Sequence, residues 1–220
     1  MADSDGHPAA RRPQDRRIRA EAWSPGEGFI ASEVREEFPG LALQHVTVDA
    51  RRRPSPPALV GRLAELSNRY RGATVITMRT KPIPRAFRAF FRQIGLDPDV
   101  RRVPSEAAAV SRLLHGEFHT VDQISDACLV ALIETGVPVW ALDADVIDAG
   151  ALGIRIAAGG LVVSDGRAVR AELFADPAPG HGVGSQTRRV TLFAVAVDGV
   201  PAIYLDEALW CAVDALGAAP

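Results

Sequence analysis

Between Arg85 and Thr135 apolar residues recur three times at helical spacing, and a short continuous apolar run follows. In the first stretch Phe87, Phe90, Phe91 and Ile94 share one helical face, Arg85, Arg88 and Arg92 fall on another, and Gly95 stops the helix. A second helix is predicted to open at Ser105 after Pro104, with Ala109, Val110, Leu113 and Leu114 lining one side. Glu106 then lies where a helix N-terminus favours an anion, and Gly116 marks the end. A third begins at Thr120, with Gln123 three residues on as a capping box. Val121, Ile124, Cys128, Ala131 and Leu132 repeat at helical spacing, and Leu129, Val130 and Ile133 make this helix apolar almost all round, so it is expected to be buried up to Gly136. Val137–Leu142 reads as a short strand with Asp143 and Asp145 at its exit.

The rest of the chain alternates helices with strands without regular strand–helix–strand units, which predicts an α+β fold rather than a doubly wound sheet. Pro57–Tyr70 reads as a helix with Leu59, Val60, Leu63 and Leu66 inward. Ala73–Met78, Gly153–Val163, Val169–Phe174 and Val190–Val197 carry strand character, with Ser164-Asp165-Gly166 and Asp198-Gly199 as turns. Asp206 is expected to cap a final helix carrying Leu209, Trp210, Val213 and Leu216. Residues 1–22 place five arginines among Asp, Pro and Ala with no spacing that would bury anything, so they are expected to form a disordered basic tail. That tail reads either as an electrostatic tether for RNA or as a solvated leader. Residues 23–220 are expected to form a single compact unit.

Several segments together resemble the tRNA-editing module of the phenylalanyl-tRNA synthetase beta subunit, the B-three/B-four domain, and its free-standing relatives. Glu37-Phe38-Pro39-Gly40-Leu41 runs into the strand-like Ala42–Val48. Phe87-Arg88 leads to Gly95-Leu96-Asp97-Pro98, and Pro104-Ser105-Glu106-Ala107 opens a helix. Asp126, Gly136, Pro138, Ala141 and Asp143 follow at the family's spacing. The resemblance runs from about Phe38 to the C-terminal helix and weakens after Gly160. It implies a three-layer β/β/α fold and a pocket beside the buried helix and following strand, where the ester joining a wrong amino acid to the tRNA 3′ end is hydrolysed. By spacing, the family's Thr and Asn on that helix correspond here to Cys128 and Leu129, and its His to Trp140. The inherited polar site is therefore replaced by groups that neither orient water nor offer more than one N–H donor.

Composition narrows the classes. A formal charge of −2 on 220 residues excludes bulk nucleic-acid binding, yet leaves room for a local basic surface. No run approaches the ~18 consecutive apolar residues of a membrane span, and the N-terminus lacks a secretory apolar stretch. A cytoplasmic protein with no membrane partner is the expectation. Cys128 and Cys211 both fall inside helical patterns, as small core residues rather than a disulfide or zinc pair. His115 and His119 bracket Gly-Glu-Phe across an interhelical break, unlike a zinc motif on one helical face, and no metal or cofactor is expected.

Ester hydrolysis needs a positioned water, a proton acceptor and donors aimed at the oxyanion. Asp143, Asp145 and His119 are the candidate catalytic groups, although acids leaving a strand more often cap the next turn. Asp126, Cys128, Leu129 and Trp140 are the candidate pocket residues, with Asp126 expected to be buried and hydrogen-bonded. In Gly180–Thr187, Gly182, Gly184, Ser185 and Gln186 form either a flexible linker or a lid on the pocket. The segment has no Gly-Lys-Ser/Thr ending, so it is no nucleoside triphosphate loop. Arg79, Lys81, Arg85, Arg88, Arg92, Arg101 and Arg102 outnumber their acidic neighbours and form either a surface for a tRNA acceptor end or a solvated helix face. Two functions follow. The favoured one is an aminoacyl-tRNA hydrolase acting in trans, with aminoacyl-tRNA as partner, no DNA, and no ATP-dependent aminoacylation by this chain alone. The other is a non-catalytic tRNA- or amino-acid-binding module of the same fold.

Overall fold

The computed structural model describes residues 24–70 and 72–217, so the basic tail lies outside the described residues. Two four-stranded sheets carry the fold. The first has the order β1-β3-β8-β4, built from β1 (Gly26–Glu27), β3 (Ala42–Asp49), β4 (Val139–Asp143) and β8 (Arg189–Ala196), and is antiparallel throughout. Every residue of β8 after Arg189 is buried, as a central strand covered on both faces requires. The second sheet, of order β2-β5-β6-β7, joins β2 (Phe29–Ile30), β5 (Gly153–Ala157), β6 (Gly160–Ser164) and β7 (Val169–Glu172). Its only parallel pair is β2 with β5. The stretch Gly153–Val163, read as one strand, is thus a hairpin. Ala158 and Gly159 both take positive φ, 49° and 79°, in the two-residue turn that the right-handed twist of paired strands favours.

The helices are α1 (Ser32–Glu37), α2 (Pro57–Arg69), α3 (Gly72–Met78), α4 (Pro82–Gln93), α5 (Pro104–His115), α6 (Gln123–Thr135) and α7 (Ile203–Leu216). α6 packs on α7, α2 and β4, and α7 packs on β8 and β3. Arg62 on α2 joins the three helices, reaching Glu134 on α6 at 2.7 Å and Asp214 on α7 at 3.4 Å. As its composition predicts, α6 is largely buried: Ala127, Val130 and Ala131 have no exposed surface. Gly116 and Gly136 end α5 and α6 in the left-handed conformation, with φ of 83° and 80°.

Several expectations are corrected. Gly72–Met78 is helical, not a strand, despite its β-branched Thr74-Val75-Ile76. Among the described strands none pairs with this segment, and a helix satisfies its backbone locally. The α6 cap is Asp122, whose carboxylate accepts from the N–H groups of Ile124 and Ser125 at 3.0 Å, while Thr120 lies outside the helix. The last helix begins at Ile203, so Asp206 sits in its first turn rather than capping it. Leu113 and Leu114 on α5 are exposed, as are Val60 on α2 and Val121. Arg88 does not share the solvated side of α4. It is buried and pairs with Glu106 at 2.9 Å and Asp99 at 2.8 Å, so two buried opposite charges join α4 to the start of α5.

Candidate functional site

A cavity of about 580 Å³ opens between α6, β4 and the glycine-rich segment that precedes β8. Its volume lies within the roughly 300–1,000 Å³ common for small-molecule sites. Cys128, Leu129 and Leu132 on α6 face Trp140 on β4 across it, and Gly182 and Val183 close the far side. Gly182 and Val183 are distant from the others in sequence. All of them meet because antiparallel β4 carries the chain back beside the helix it has just left, while the glycine-rich segment runs along β4.

Backbone bonds seat that segment. The Asp143 N–H donates to His181 O at 3.0 Å, and Leu142 bridges to Gly182. The buried Thr187 hydroxyl donates to the Asp143 carboxylate and accepts from the Gly184 N–H at 2.9 Å, and the other Asp143 oxygen accepts from the Asp145 N–H at 3.0 Å. A flexible linker would lack such ties. Gly180–Thr187 is a pinned wall of the cavity, and Ser185 and Gln186 at its tip are exposed.

One wall is under backbone strain. Phe174 has φ of 61°, a conformation costly for any residue with a Cβ and rare for a bulky one, in a turn closed by the Ala175 N–H to Glu172 O. Packing holds it there. Its ring lies 5.4–5.8 Å from those of Phe87, Phe90, Phe91 and Trp140, and Trp140 stacks on Phe193 at 5.5 Å. Trp140 therefore lines the hollow without filling it.

The rim is charged. Arg52 pairs with Asp122 at 3.0 Å on one side, and Arg102 and Asp176 also line the opening. Two cations and two carboxylates suit a ligand that carries charges of both signs. Cys128 contributes no thiolate at neutral pH, because burial, reinforced by the nearby Asp122 charge, pushes its thiol up to about 12.

The other sequence-derived candidates fall elsewhere. Asp126 is buried, accepting from the Ser55 hydroxyl and from the Val121 N–H at 2.9 Å, and holds the segment ahead of α2 against α6. Asp143 anchors Thr187 as described. Asp145 is exposed, 3.8 Å from Arg189, and His119 is exposed with its ring 4.6 Å from that of His115. None of these four lines the cavity. No metal-binding cluster of His, Cys, Asp or Glu occurs among the described residues. Of the basic set, Arg102 reaches the cavity rim. Arg79 pairs with Asp99 at 3.2 Å, Arg88 is buried, Lys81, Arg85 and Arg92 are exposed, and Arg101 borders a separate hollow near β6.

No protein-family model matches this chain, and no curated protein sequence is significantly similar to it. No helix among the described residues is long and apolar enough to cross a membrane.

Arg52, Asp122, Phe174 and Asp176 belong to the site and were not singled out from sequence. Arg52 and Asp122 are 70 residues apart, and no local pattern links them. The run Arg51-Arg52-Arg53, directly after a strand, was the one available signal.

Proposed function

We propose that this chain is a stand-alone aminoacyl-tRNA hydrolase with a fold like that of the synthetase editing module, a β/β/α arrangement. The carrying observation is the cavity in which Cys128, Leu129 and Trp140 face Gly182 and Val183 beneath a rim of paired charges. An aminoacylated 3′ end presents an apolar or small side chain, a cationic α-ammonium and anionic phosphates. The floor takes the first, the exposed Asp176 carboxylate takes the second, and Arg52 and Arg102 take the third. The one lining hydroxyl, that of Ser125, donates to Asp122 at 3.3 Å and no imidazole lines the cavity, so hydrolysis proceeds by attack of a water on the ester carbonyl, its proton passing to the departing ribose oxygen. Cys128 is no nucleophile here, since its thiol stays protonated.

The test is release of free amino acid from a panel of mischarged tRNAs at catalytic levels of the full chain. Asp176→Asn, which removes the counter-charge of the ammonium, and Arg52→Ala are each expected to raise KM. A chain that binds aminoacyl-tRNA stoichiometrically with no turnover is instead a binding module. The apolar floor favours that second reading.

A further inference from the structure

A second cleft, of about 480 Å³, lies on the other side of the Arg51–Arg53 ridge and is lined by Arg51, Arg53, Arg188 and Arg189 with a single carboxylate, Asp49. The ridge separates two sites because its side chains alternate: Arg52 lines the first cavity, and Arg51 and Arg53 line the second. Alternation follows from the non-helical course of the chain here, between the end of β3 and the start of α2.

The four guanidiniums are exposed and barely neutralised. Arg53 Nε donates to the neutral Gln123 side chain at 2.7 Å. Arg188 donates to the carbonyls of Ser185, Gln186 and Thr187 at 3.0–3.2 Å, and among the described residues Arg189 reaches only Asp145, at 3.8 Å. Arg51 has no acidic partner among the described residues. The ridge itself is held firmly. Gln123, almost fully buried, donates from its backbone to Arg53 O at 2.9 Å and from its side chain to Arg51 O at 2.7 Å, while Asp122 beside it holds Arg52. Four exposed guanidiniums on a firmly held backbone, with one lining acid, are an electrostatic footprint for phosphates. Several phosphates in a row suit it better than one, because the arginines come from two adjoining chain segments, after β3 and at the start of β8, joined by the Ala50 N–H to Arg188 O bond at 3.1 Å.

We propose that this cleft seats the phosphodiester backbone of an RNA strand whose 3′ end enters the adjacent cavity over the Arg51–Arg53 ridge. The partner deepens the hydrolase reading and rests on it for the direction of the strand. It moves the RNA contact from the α4 surface, where Arg79 and Arg88 are tied to Asp99 and Glu106, to the ridge and the start of β8.

The experiment measures binding of a labelled RNA minihelix with a single-stranded CCA 3′ end to the full chain across a salt series, alongside inorganic pyrophosphate. In parallel it follows amino-acid release from mischarged tRNA. Arg51→Ala/Arg189→Ala, whose side chains anchor no loop, is expected to weaken minihelix binding at least tenfold. It should also reduce the slope of log affinity against log salt by about 1.5–2, the loss of two phosphate contacts. Arg85→Ala/Arg92→Ala on α4 is expected to lose less than threefold. An unchanged thermal melt shows that each variant is folded. The proposal is overturned if the α4 variant loses the affinity and the cleft variant keeps it, if wild type does not bind the minihelix, or if pyrophosphate binds as tightly as the minihelix. Binding lost in the cleft variant with no amino-acid release from wild type sustains the cleft and removes the hydrolase. Release that the cleft variant leaves intact, at unchanged KM, does the reverse.

Discussion

Replacing Thr187 by Val keeps the shape of a fully buried side chain and removes its hydroxyl, which ties the glycine-rich wall to the end of β4. Two bonds disappear. The one to the Asp143 carboxylate is charge-assisted, a class that contributes about 1.5–3 kcal/mol, and the one from the Gly184 N–H contributes about 1 kcal/mol. Asp143 is only half-buried and regains water in part, so the expected loss is about 2–3 kcal/mol. Urea unfolding followed by tryptophan fluorescence reads this directly. At a slope of about 2 kcal/mol per molar, the midpoint falls by about 1–1.5 M. The cycle with Asp143→Ala is expected to return a coupling energy of about 1.5–3 kcal/mol, because each single variant removes the same bond. A loss under about 0.5 kcal/mol, or additive effects in the cycle, would refute the pinned-wall account and leave Gly180–Thr187 as a linker.

Other predictions follow from buried groups. Phe174→Ala forfeits ring contacts worth about 3–5 kcal/mol, and Phe174→Gly, which relaxes the positive φ, should prove more stable than the alanine variant by about 1 kcal/mol; the reverse order in chemical denaturation would remove the strain. Burial raises the Asp165 pKa, but a hydrogen bond from Arg170, with the N–H groups of Asp148, Arg167 and Ala168, outweighs it and holds the carboxyl well below the usual range. Its stabilisation is therefore complete above the unfolded value, about 3.9, and is lost as pH falls through the folded value. Asp165→Asn should thus be less stable at pH 7 and show a shallower stability decline below pH 4 than wild type; equal slopes would contradict it. Cys128 should resist iodoacetamide at pH 7 in the folded chain, as mass spectrometry would register, because its thiol ionises only near pH 12. Rapid modification there would remove the argument that water, not sulfur, attacks the ester.

What the sequence disclosed followed from local periodicity. α6 is apolar almost all round and proved buried, and Val190–Val197, apolar but for Thr191, proved to be a central strand. Residues that lie close to α6 in sequence were accessible for the same reason: Cys128, Leu129 and Trp140 share one cavity because the helix and strand joined at Gly136 are neighbours in space. Where tertiary context decides, local reading went astray. Thr74-Val75-Ile76 has strand propensity yet lies within helix α3. Gln123 has the identity of a capping-box residue, but its amide is committed to Arg51 and Arg53, so capping falls to Asp122. Arg88 sits on a helix with other arginines, and the approach of Asp99 and of Glu106 from α5 holds it inward. The charged rim was hidden because Arg52, Arg102, Asp122 and Asp176 come from four separate segments.

The most direct test of the central claim is the release of amino acid from mischarged tRNA by the wild-type chain, compared with Leu129→Trp, which fills the cavity between α6 and Trp140 without touching the rim. Multiple turnover by wild type, lost in the filled variant while its thermal melt is retained, is the predicted result. Undiminished turnover with the cavity blocked, or no turnover by wild type on any mischarged tRNA, would contradict it.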